Sequence, residues 1–267
     1  MDHFWVRRYG PWAVVAGAAL GLGAEFCRQL AALGANLVMV ALETDELDEL
    51  AAELRDQHGI ETVTLTADLG TRKGLNEVID ATGELDVGLL VYNAGLSATA
   101  PFLDTPLSRH LAIVDVNIRG PLTLLDAFVP AMVERGRGGV ILLSSMSSLT
   151  GTPLVSTYAA TKAFTRNLAE TLWDELAPDG VHVTAVLPGP TDTPGYRSSA
   201  PRPTRLTAQP MSVTPVVAET LAALGRRPTI VPGRPNRVAA TVIERVLPRR
   251  MAVRFMGRTM RAMYARK

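Results

Sequence analysis

A tyrosine and a lysine four residues apart, Tyr158 and Lys162 in the segment YAATK, have the side chains and the spacing for proton transfer. Residues at this spacing lie one above the other on one face of an α-helix, so both side chains can point into one cleft. A free tyrosine has a pKa of about 10, and a nearby cation favours the phenolate and lowers that value. A phenol whose pKa is lowered in this way can act as a general acid or base near neutral pH. Taken alone, the segment favours a plainer interpretation, a tyrosine buried for packing and a lysine whose ammonium reaches water.

A glycine-rich turn could bind a phosphate group. Gly17, Gly21 and Gly23 follow the first predicted strand and open the first predicted helix. Glycines at such a turn let the backbone approach a pyrophosphate closely, while the free N–H groups of the helix face the anion. The spacing G-x3-G-x-G differs from the G-x-G-x-x-G fingerprint, and a tight strand–helix turn without a ligand is the alternative.

Polar residues also follow two later predicted strands. Asp68 comes after the third strand, and Asn93 and Gly95 end the fourth. Ligands of open α/β sheets bind in the crevice at the carboxyl ends of the strands, where these residues are expected. Asp68 could accept a hydrogen bond from an adenine amino group or, as the alternative, cap the next helix.

The elements that must position these residues alternate between strand and helix. Apolar, β-branched runs predict strands over 12–16, 36–41, 62–67, 87–93, 139–145, 181–189 and 228–233. Amphipathic stretches predict helices over 21–33, 43–58, 71–82, 108–134, 156–177 and 214–225. This alternation predicts an α/β fold, a single-domain Rossmann-type doubly wound parallel sheet with helices on both faces.

The carboxyl-terminal part of the chain has a different composition. Residues 190–213 are rich in Pro, Ser, Thr and Arg and predict a substrate loop. From Arg226 onward there are twelve arginine or lysine residues and one acidic residue, Glu244. We therefore predict a catalytic domain over 1–232 and a basic helical extension over 233–267.

The order and spacing of these motifs resemble the short-chain dehydrogenase/reductase (SDR) superfamily over about residues 11–195. The motifs are Gly17-x3-Gly21-x-Gly23, Asp68, Asn93-Ala94-Gly95, Ser145, Tyr158-x3-Lys162 and Pro188-Gly189. The resemblance implies an NAD(P)-dependent oxidoreductase that interconverts a ketone and a secondary alcohol. Beside these motifs, the packing interpretation of Tyr158 and Lys162 is the weaker one.

The resemblance also implies a role for single residues. Tyr158 would donate or accept the proton, Lys162 would activate it, Ser145 would orient the substrate oxygen, and Asn117 would anchor a proton-relay water. Ser144, Ser147 and Ser148 are rivals of Ser145 by proximity, and the spacing to Tyr158 favours Ser145. The cofactor contacts implied are Gly17, Ala19, Leu20, Gly21, Leu22, Gly23, Asp68, Leu69, Asn93, Ala94, Gly95, Tyr158, Lys162, Pro188, Gly189 and Thr193, the last three as the nicotinamide-side loop.

The chain departs from the family pattern at Ala16, and the residues near the second strand bear on the choice between NAD and NADP. Members usually have Thr where this chain has Ala16, so we expect a looser glycine turn, and a nucleotide-binding protein without turnover is the alternative function. Glu43 follows the second strand, Leu20 lies in the turn, and neither position supplies a cation for a 2′-phosphate. A carboxylate at the end of the second strand favours NAD over NADP.

The substrate is expected to be hydrophobic. Residues 96–102, 146–155 and the loop after Gly189 should form its pocket, with Leu149, Leu154 and Val155 as apolar lining. This suits a lipid, steroid or ketoacyl-like ketone. The family implies a homodimer or homotetramer formed through the helices over 108–134 and 156–177.

The composition of the chain limits the compartments in which the protein is expected and the partners that it is expected to bind. A single cysteine, Cys27, excludes an intramolecular disulfide and fits a reducing compartment. No secretory signal or run of about 18 apolar residues is visible, so we expect a cytoplasmic protein. The basic tail, with apolar residues from Met251 to Tyr264, could lie on an anionic membrane, or it could dock on an oligomer partner or cover the substrate pocket, and we favour docking over membrane binding. No nucleic-acid-reading motif and no metal-ligand spacing among the histidines is present.

Overall fold

The computed structural model describes residues 3–202 and 209–264. Its strands are β1 (Trp12–Ala16), β2 (Asn36–Ala41), β3 (Thr62–Thr66), β4 (Val87–Tyr92), β5 (Gly138–Leu143), β6 (Val181–Val186) and β7 (Thr229–Ile230). They form one seven-stranded sheet in the order β3-β2-β1-β4-β5-β6-β7, and every neighbouring pair is parallel. The order of the strands reverses between β1 and β4, which is the switch point where doubly wound sheets bind ligands. The predicted fold class is confirmed.

The helices in chain order are α1 (His3–Tyr9), α2 (Gly21–Ala32), α3 (Asp45–His58), α4 (Arg72–Thr82), α5 (Leu107–Val114), α6 (Gly120–Glu134), α7 (Ser156–Glu175), α8 (Pro194–Ser198), α9 (Val213–Ala223), α10 (Arg234–Thr241) and α11 (Arg249–Tyr264). Short 3₁₀ turns cover Phe102–Asp104 and Met146–Leu149, and π-helical turns cover Asp115–Arg119 and Val242–Val246.

Alternate residues of the central strands face two separate cores. Val15 and Met39 pack in one core with side chains of α2, α3 and α9, while Val14 and Val38 pack in the other with α4, α6 and α7. All four side chains are fully buried. Strands covered on both faces need apolar residues at every position, which explains the nearly continuous apolar runs of the sequence. Cys27 is buried in the first of these cores.

Two predictions of secondary structure need correction, and one helix was missed. The helix expected over 108–134 is interrupted by the π-helical turn at Asp115–Arg119, and the loop expected over 190–213 contains the short helix α8. Helix α1 was not predicted. Residues 203–208 of the predicted substrate loop lie outside the described residues.

The basic carboxyl-terminal segment folds back onto the body. Helix α11 buries Ala252, Gly257, Thr259 and Met263, whereas Phe255 on its other face is exposed. The apolar spacing of this helix therefore serves docking on the protein's own surface, one of the two docking alternatives that the sequence favoured. Within residues 3–202 and 209–264, no helix combines the length and apolar character that crossing a membrane requires.

Candidate active site

A cleft of about 420 Å³ opens at the carboxyl ends of β1 and β4. Eleven of the predicted cofactor residues line it: Gly17, Ala19, Leu20, Gly21, Leu22, Asp68, Leu69, Asn93, Ala94, Gly95 and Thr193. It also has lining residues that the sequence argument did not assign to the cofactor, among them Ala67, Val116, Pro194 and Gly195. Ala67, Pro194 and Gly195 adjoin predicted residues in sequence, whereas Val116 comes from the π-helical turn and has no local signal.

The glycines of the turn are held where no larger residue fits. Gly17 and Gly21 have φ of +80° and +59°, in the left-handed region that favours glycine. A Cβ atom at Gly17 would lie 2.9 Å from the backbone of Ala94, and one at Gly23 would lie 1.8 Å from the carbonyl oxygen of Gly17. The backbone here therefore packs too closely for side chains.

The end of β4 braces this turn. The side-chain amide of Asn93 donates a hydrogen bond of 2.8 Å to the carbonyl oxygen of Gly17. The carbonyl oxygen of Ala16 accepts from the backbone N–H groups of Asn93 and Ala94, at 3.0 and 2.8 Å. These three bonds brace the turn without a threonine hydroxyl, and the looser turn expected from Ala16 stays a prediction.

The start of α2 has free donors beside the cleft. Leu20, the residue that precedes α2, makes no side-chain capping hydrogen bond. The first N–H groups of a helix have no intrahelical acceptor, and together with the helix dipole they attract an anion. A glycine cradle and an uncapped helix start at the switch point fit the pyrophosphate of a dinucleotide.

Asp68 presents its carboxylate on the wall of this cleft. One carboxylate oxygen accepts the N–H of Gly70 at 2.9 Å. The helix that follows is capped by Thr71, whose hydroxyl oxygen accepts the N–H of Gly74 at 3.1 Å. Asp68 therefore does not cap α4, and its exposed carboxylate is available to a ligand in the cleft.

The charged lining of the cleft is acidic. Glu43 and Asp68 are its ionisable residues, and among the described residues that line it none is a lysine or arginine. Glu43 follows β2 together with Ala41 and Leu42, as the sequence placed it. A phosphate group at this end of the cleft would meet a carboxylate rather than a cation.

Three predicted cofactor residues support the cleft without lining it. The carbonyl oxygen of Pro188 accepts the N–H of Met146 at 3.0 Å. A Cβ atom at Gly189 would lie 2.6 Å from the side-chain oxygen of Asn236, so this glycine allows close packing of the loop. Gly23 is buried behind the turn.

Helix α7 brings Tyr158 and Lys162 together. The ammonium nitrogen of Lys162 lies 5.6 Å from the centroid of the Tyr158 ring. Lys162 is buried, and its ammonium donates a hydrogen bond of 2.6 Å to the carbonyl oxygen of Leu143 at the end of β5. A lysine held in this way does not reach water, which excludes the plainer interpretation of the YAATK segment.

Four serines lie beside this pair, and one of them interacts with the Tyr158 phenol in a way that lowers its pKa. That residue is Ser145, whose hydroxyl oxygen also accepts the N–H of Ser147 at 3.1 Å. The hydroxyl of Ser144 donates to the backbone of Lys162, and that of Ser148 donates to the backbone of Ser145. The Ser147 hydroxyl oxygen is buried without a hydrogen-bond partner in the described structure. The geometry thus favours Ser145 among the four candidates.

Burial is the largest cause of the pKa shifts of Tyr158 and Lys162. It raises the pKa of Tyr158 above its ordinary value, and the interaction with Ser145 offsets only part of that increase. Burial also lowers the pKa of Lys162 to about 8. The expectation that the lysine cation lowers the pKa of Tyr158 is thus not met, because removal from water is the larger effect. The Tyr158 phenol is a protonated donor at neutral pH.

The buried side chain of Asn117 connects β4 to α7. Its side-chain oxygen accepts the N–H of Leu96 at 2.8 Å, and its amide nitrogen donates to the Leu96 carbonyl and to the Thr161 hydroxyl at 3.0 and 2.9 Å. The Thr161 hydroxyl donates to the carbonyl of Tyr158 at 2.8 Å. The π-helical turn, a frequent feature of functional sites, places Asn117 there.

The histidines form no second site. The imidazole of His110 contacts the Thr157 hydroxyl, and that of His182 lies between Arg8 and Tyr9. Across the parts of the chain that the structure describes, no three His, Cys, Asp or Glu side chains are grouped to hold a metal ion.

The chain belongs to the short-chain dehydrogenase/reductase family. The family model described as short chain dehydrogenase matches residues 11–203, which include the glycine turn, Ser145, Tyr158 and Lys162.

Its relatives in this family include steroid and acyl-CoA enzymes. The chain is 33% identical over 234 residues to a 7beta-hydroxysteroid dehydrogenase of Collinsella aerofaciens, a match that covers 86% of this chain and 89% of that protein. It is 37% identical over 186 residues to a very-long-chain 3-oxoacyl-CoA reductase of Phaeosphaeria nodorum, covering 66% of this chain and 54% of the reductase.

Solved structures of similar proteins share both the fold and part of the sequence of this chain. A structure described as giving insight into 7beta-hydroxysteroid dehydrogenase stereoselectivity has a TM-score of 0.89 and 30% identity, covering 94% of this chain and 98% of the other. A short-chain dehydrogenase from Sphingobium yanoikuyae in complex with NADPH has a TM-score of 0.77 and 31% identity, covering 86% and 90%. The protein is thus an NAD(P)-dependent oxidoreductase that acts on a carbonyl or alcohol group.

Proposed function

We propose that the protein uses NAD to interconvert a bulky hydrophobic ketone, of the steroid or ketoacyl type, and its secondary alcohol. The observation that carries the proposal is the grouping of three side chains: the buried ammonium of Lys162 lies 5.6 Å from the centroid of the Tyr158 ring, and the Ser145 hydroxyl interacts with the Tyr158 phenol and lowers its pKa. A bound nicotinamide supplies or accepts the hydride, and the residues of the chain orient the carbonyl and transfer the proton.

We assign the proton transfer to Tyr158. In the reducing direction negative charge develops on the carbonyl oxygen, and the hydroxyls of Ser145 and Tyr158 stabilise it by hydrogen bonding. The phenol then donates its proton to this oxygen. The Lys162 ammonium stabilises the phenolate that forms, and Asn117 keeps Tyr158 in place through Thr161. A water anchored by Asn117 stays a prediction.

An apolar substrate is supported by the segment that precedes Tyr158. Leu149 and Val155 are buried, and Leu154 is partly buried with a φ of +68°, in a region that bulky residues seldom adopt. Its carbonyl accepts the N–H of Ala100 at 2.9 Å, which ties together two of the predicted pocket segments. A 7beta-hydroxysteroid dehydrogenase and a very-long-chain 3-oxoacyl-CoA reductase among the relatives support the same substrate class.

The preference for NAD rests on Glu43. Its carboxylate lies at the end of the cleft where a ribose 2′-phosphate would have to sit, with no cation among the described lining residues to offset it. Two of the related structures contain NADPH or NADP, so the proposal of NAD for this chain is argued from its own residue Glu43 alone.

Assembly and membrane contact are secondary proposals. Leu107, Leu111 and Leu122 of α5 and α6 are exposed apolar residues, which supports a homodimer or homotetramer through these helices. Exposed Met251 and Phe255 among arginines would support peripheral contact with an anionic membrane. A cytoplasmic location and a domain boundary at residue 232 stay predictions.

The test is a screen of ketones and alcohols of increasing size with NADH, NADPH, NAD or NADP, read at the nicotinamide absorbance. We expect kcat/KM to be higher for bulky ketones than for small ones. We also expect kcat/KM to be higher with NADH than with NADPH. Tight cofactor binding without turnover of any ketone or alcohol would instead favour a nucleotide-binding protein.

A further inference from the structure

We propose that Tyr264, at the end of the carboxyl-terminal helix α11, is a specificity residue that contacts a bulky ketone beside Tyr158. Together with Ser199 it holds α11 against the segment after Thr193. This inference rests on the proposed function and deepens it, because it names the residue that selects for large substrates.

Helix α11 lies directly on the segment that leads to Tyr158. The guanidinium of Arg249 donates a hydrogen bond of 2.8 Å to the carbonyl of Leu149. A Cβ atom at Gly257 would lie 3.2 Å from the ring of Pro153, so the middle of the helix packs closely on this segment. Two successive turns of α11 thus cover residues 149–153, which contribute to the predicted substrate pocket.

The end of α11 is bonded to the other side of that pocket. The N–H of Arg202 donates to the carbonyl of Met263 at 3.0 Å. The hydroxyl oxygens of Tyr264 and Ser199 lie 3.1 Å apart. The Ser199 hydroxyl donates its one proton to the carbonyl of Tyr196 at 2.7 Å, so the hydroxyl of Tyr264 must be the donor to Ser199. The Tyr264 ring is thereby fixed in one orientation.

Tyr264 is also near the reacting groups. Its phenol lies close enough to Tyr158 and to Tyr196 to raise the pKa of both. The end of α11 thus lies beside the segment after Thr193, on the side of the predicted pocket opposite residues 149–153. A small ketone bonded to Ser145 and Tyr158 would not extend to α11, whereas a fused-ring ketone would reach the Tyr264 ring.

The experiment compares a ketosteroid with cyclohexanone as substrates for Tyr264→Ala, Tyr264→Phe and Ser199→Ala. We expect Tyr264→Ala to raise the KM for the ketosteroid at least tenfold, with kcat for cyclohexanone and the Kd for NADH changed less than twofold. Tyr264→Phe keeps the ring and should restore most of the affinity. Ser199→Ala should match Tyr264→Phe, because both remove the same hydrogen bond. Phe255→Ala, on the exposed face of the same helix, is the matched control and should change nothing.

Two results would overturn the inference. One is an equal loss for both substrates in Tyr264→Ala, which indicates a structural role only. The other is an unchanged KM for the ketosteroid. If the wild-type protein reduces neither ketone, the proposed function fails. The role of Tyr264 in binding can then still be tested by calorimetric titration of the ketosteroid into the NADH-saturated protein. Weaker binding by Tyr264→Ala than by wild type supports the inference, and equal or absent binding in both refutes it.

Discussion

A single methyl group at Gly23 tests whether the glycine turn is the cofactor cradle. The Cβ atom of a Gly23→Ala variant would lie 1.8 Å from the carbonyl oxygen of Gly17 and 2.8 Å from the amide nitrogen of Asn93. Ordinary contacts between such atoms are about 3.5 Å, so the helix start and the turn must separate by about 1.7 Å. The closer partner is a backbone atom, and the Asn93 amide is itself hydrogen-bonded to Gly17, so the turn has to move.

The Gly23→Ala substitution should lower both the stability of the protein and its affinity for NADH. Overpacking of this kind costs about 1–3 kcal/mol, and loss of the Asn93–Gly17 hydrogen bond costs about 1 kcal/mol more. We therefore expect the free energy of unfolding to fall by about 2–4 kcal/mol and the Kd for NADH to rise at least about tenfold. Helix propensity alone predicts the opposite, since alanine is about 1 kcal/mol more favourable than glycine within a helix.

Urea unfolding and fluorescence titration with NADH measure the two quantities. Gly83→Ala is the matched control, because Gly83 has a φ of −56° and a Cβ atom there would come no closer than 3.6 Å to another heavy atom. If Gly23→Ala bound NADH as tightly as Gly83→Ala and were equally stable, the close approach of helix and turn would not be what forms the cofactor site.

Three further predictions concern the cofactor and the buried lysine. Asn93→Ala removes the hydrogen bond of 2.8 Å to Gly17, so the Kd for NADH should rise about 3- to 10-fold; an unchanged Kd in titration would show that the turn does not need this brace. Glu43→Gln removes the carboxylate at the ribose end of the cleft and should improve NADPH binding several-fold relative to NADH, and a ratio of the two Kd values that stays constant would contradict this. Burial lowers the pKa of Lys162 from 10.5 to about 8, so the native state binds fewer protons than the unfolded state between these values. The free energy of unfolding should therefore rise as pH increases through that window, and Lys162 should add no pH dependence below about pH 8; urea unfolding of Lys162→Met should show a smaller rise, and equal slopes would refute the shift. With the ammonium lost above about pH 8, the rate of ketone reduction should also fall.

Local patterns in the sequence were sufficient for the strands and for most of the cleft. Apolar runs bounded by glycine or polar residues predicted β1 and β2 with the observed bounds, because strands buried on both faces consist mainly of apolar residues. Eleven of the sixteen predicted cofactor residues line the cleft, since the carboxyl ends of parallel strands meet at one edge of the sheet. Their roles in binding stay predictions.

Features that depend on distant contacts were predicted poorly. The π-helical turn that places Asn117 has no local signature. Packing of the tail over the substrate pocket was one of two docking alternatives that the sequence left open, because it depends on residues about 100 positions away, as the bond from Arg249 to Leu149 shows. The pKa of Tyr158 was misjudged for the same reason. Its spacing to Lys162 gives the nearby charge, but the surrounding burial, which is the larger effect, comes from the whole fold.

The most direct test of the account is single-turnover reduction of a bulky ketone by Tyr158→Phe saturated with reduced cofactor. The substitution removes the phenol hydroxyl and keeps the ring and the position of Lys162. Loss of a positioned proton donor should slow hydride transfer by about 10²- to 10⁴-fold, with the Kd for the cofactor unchanged within about twofold. A Tyr158→Phe variant that reduces the ketone at the wild-type rate would show that this phenol is not the proton donor.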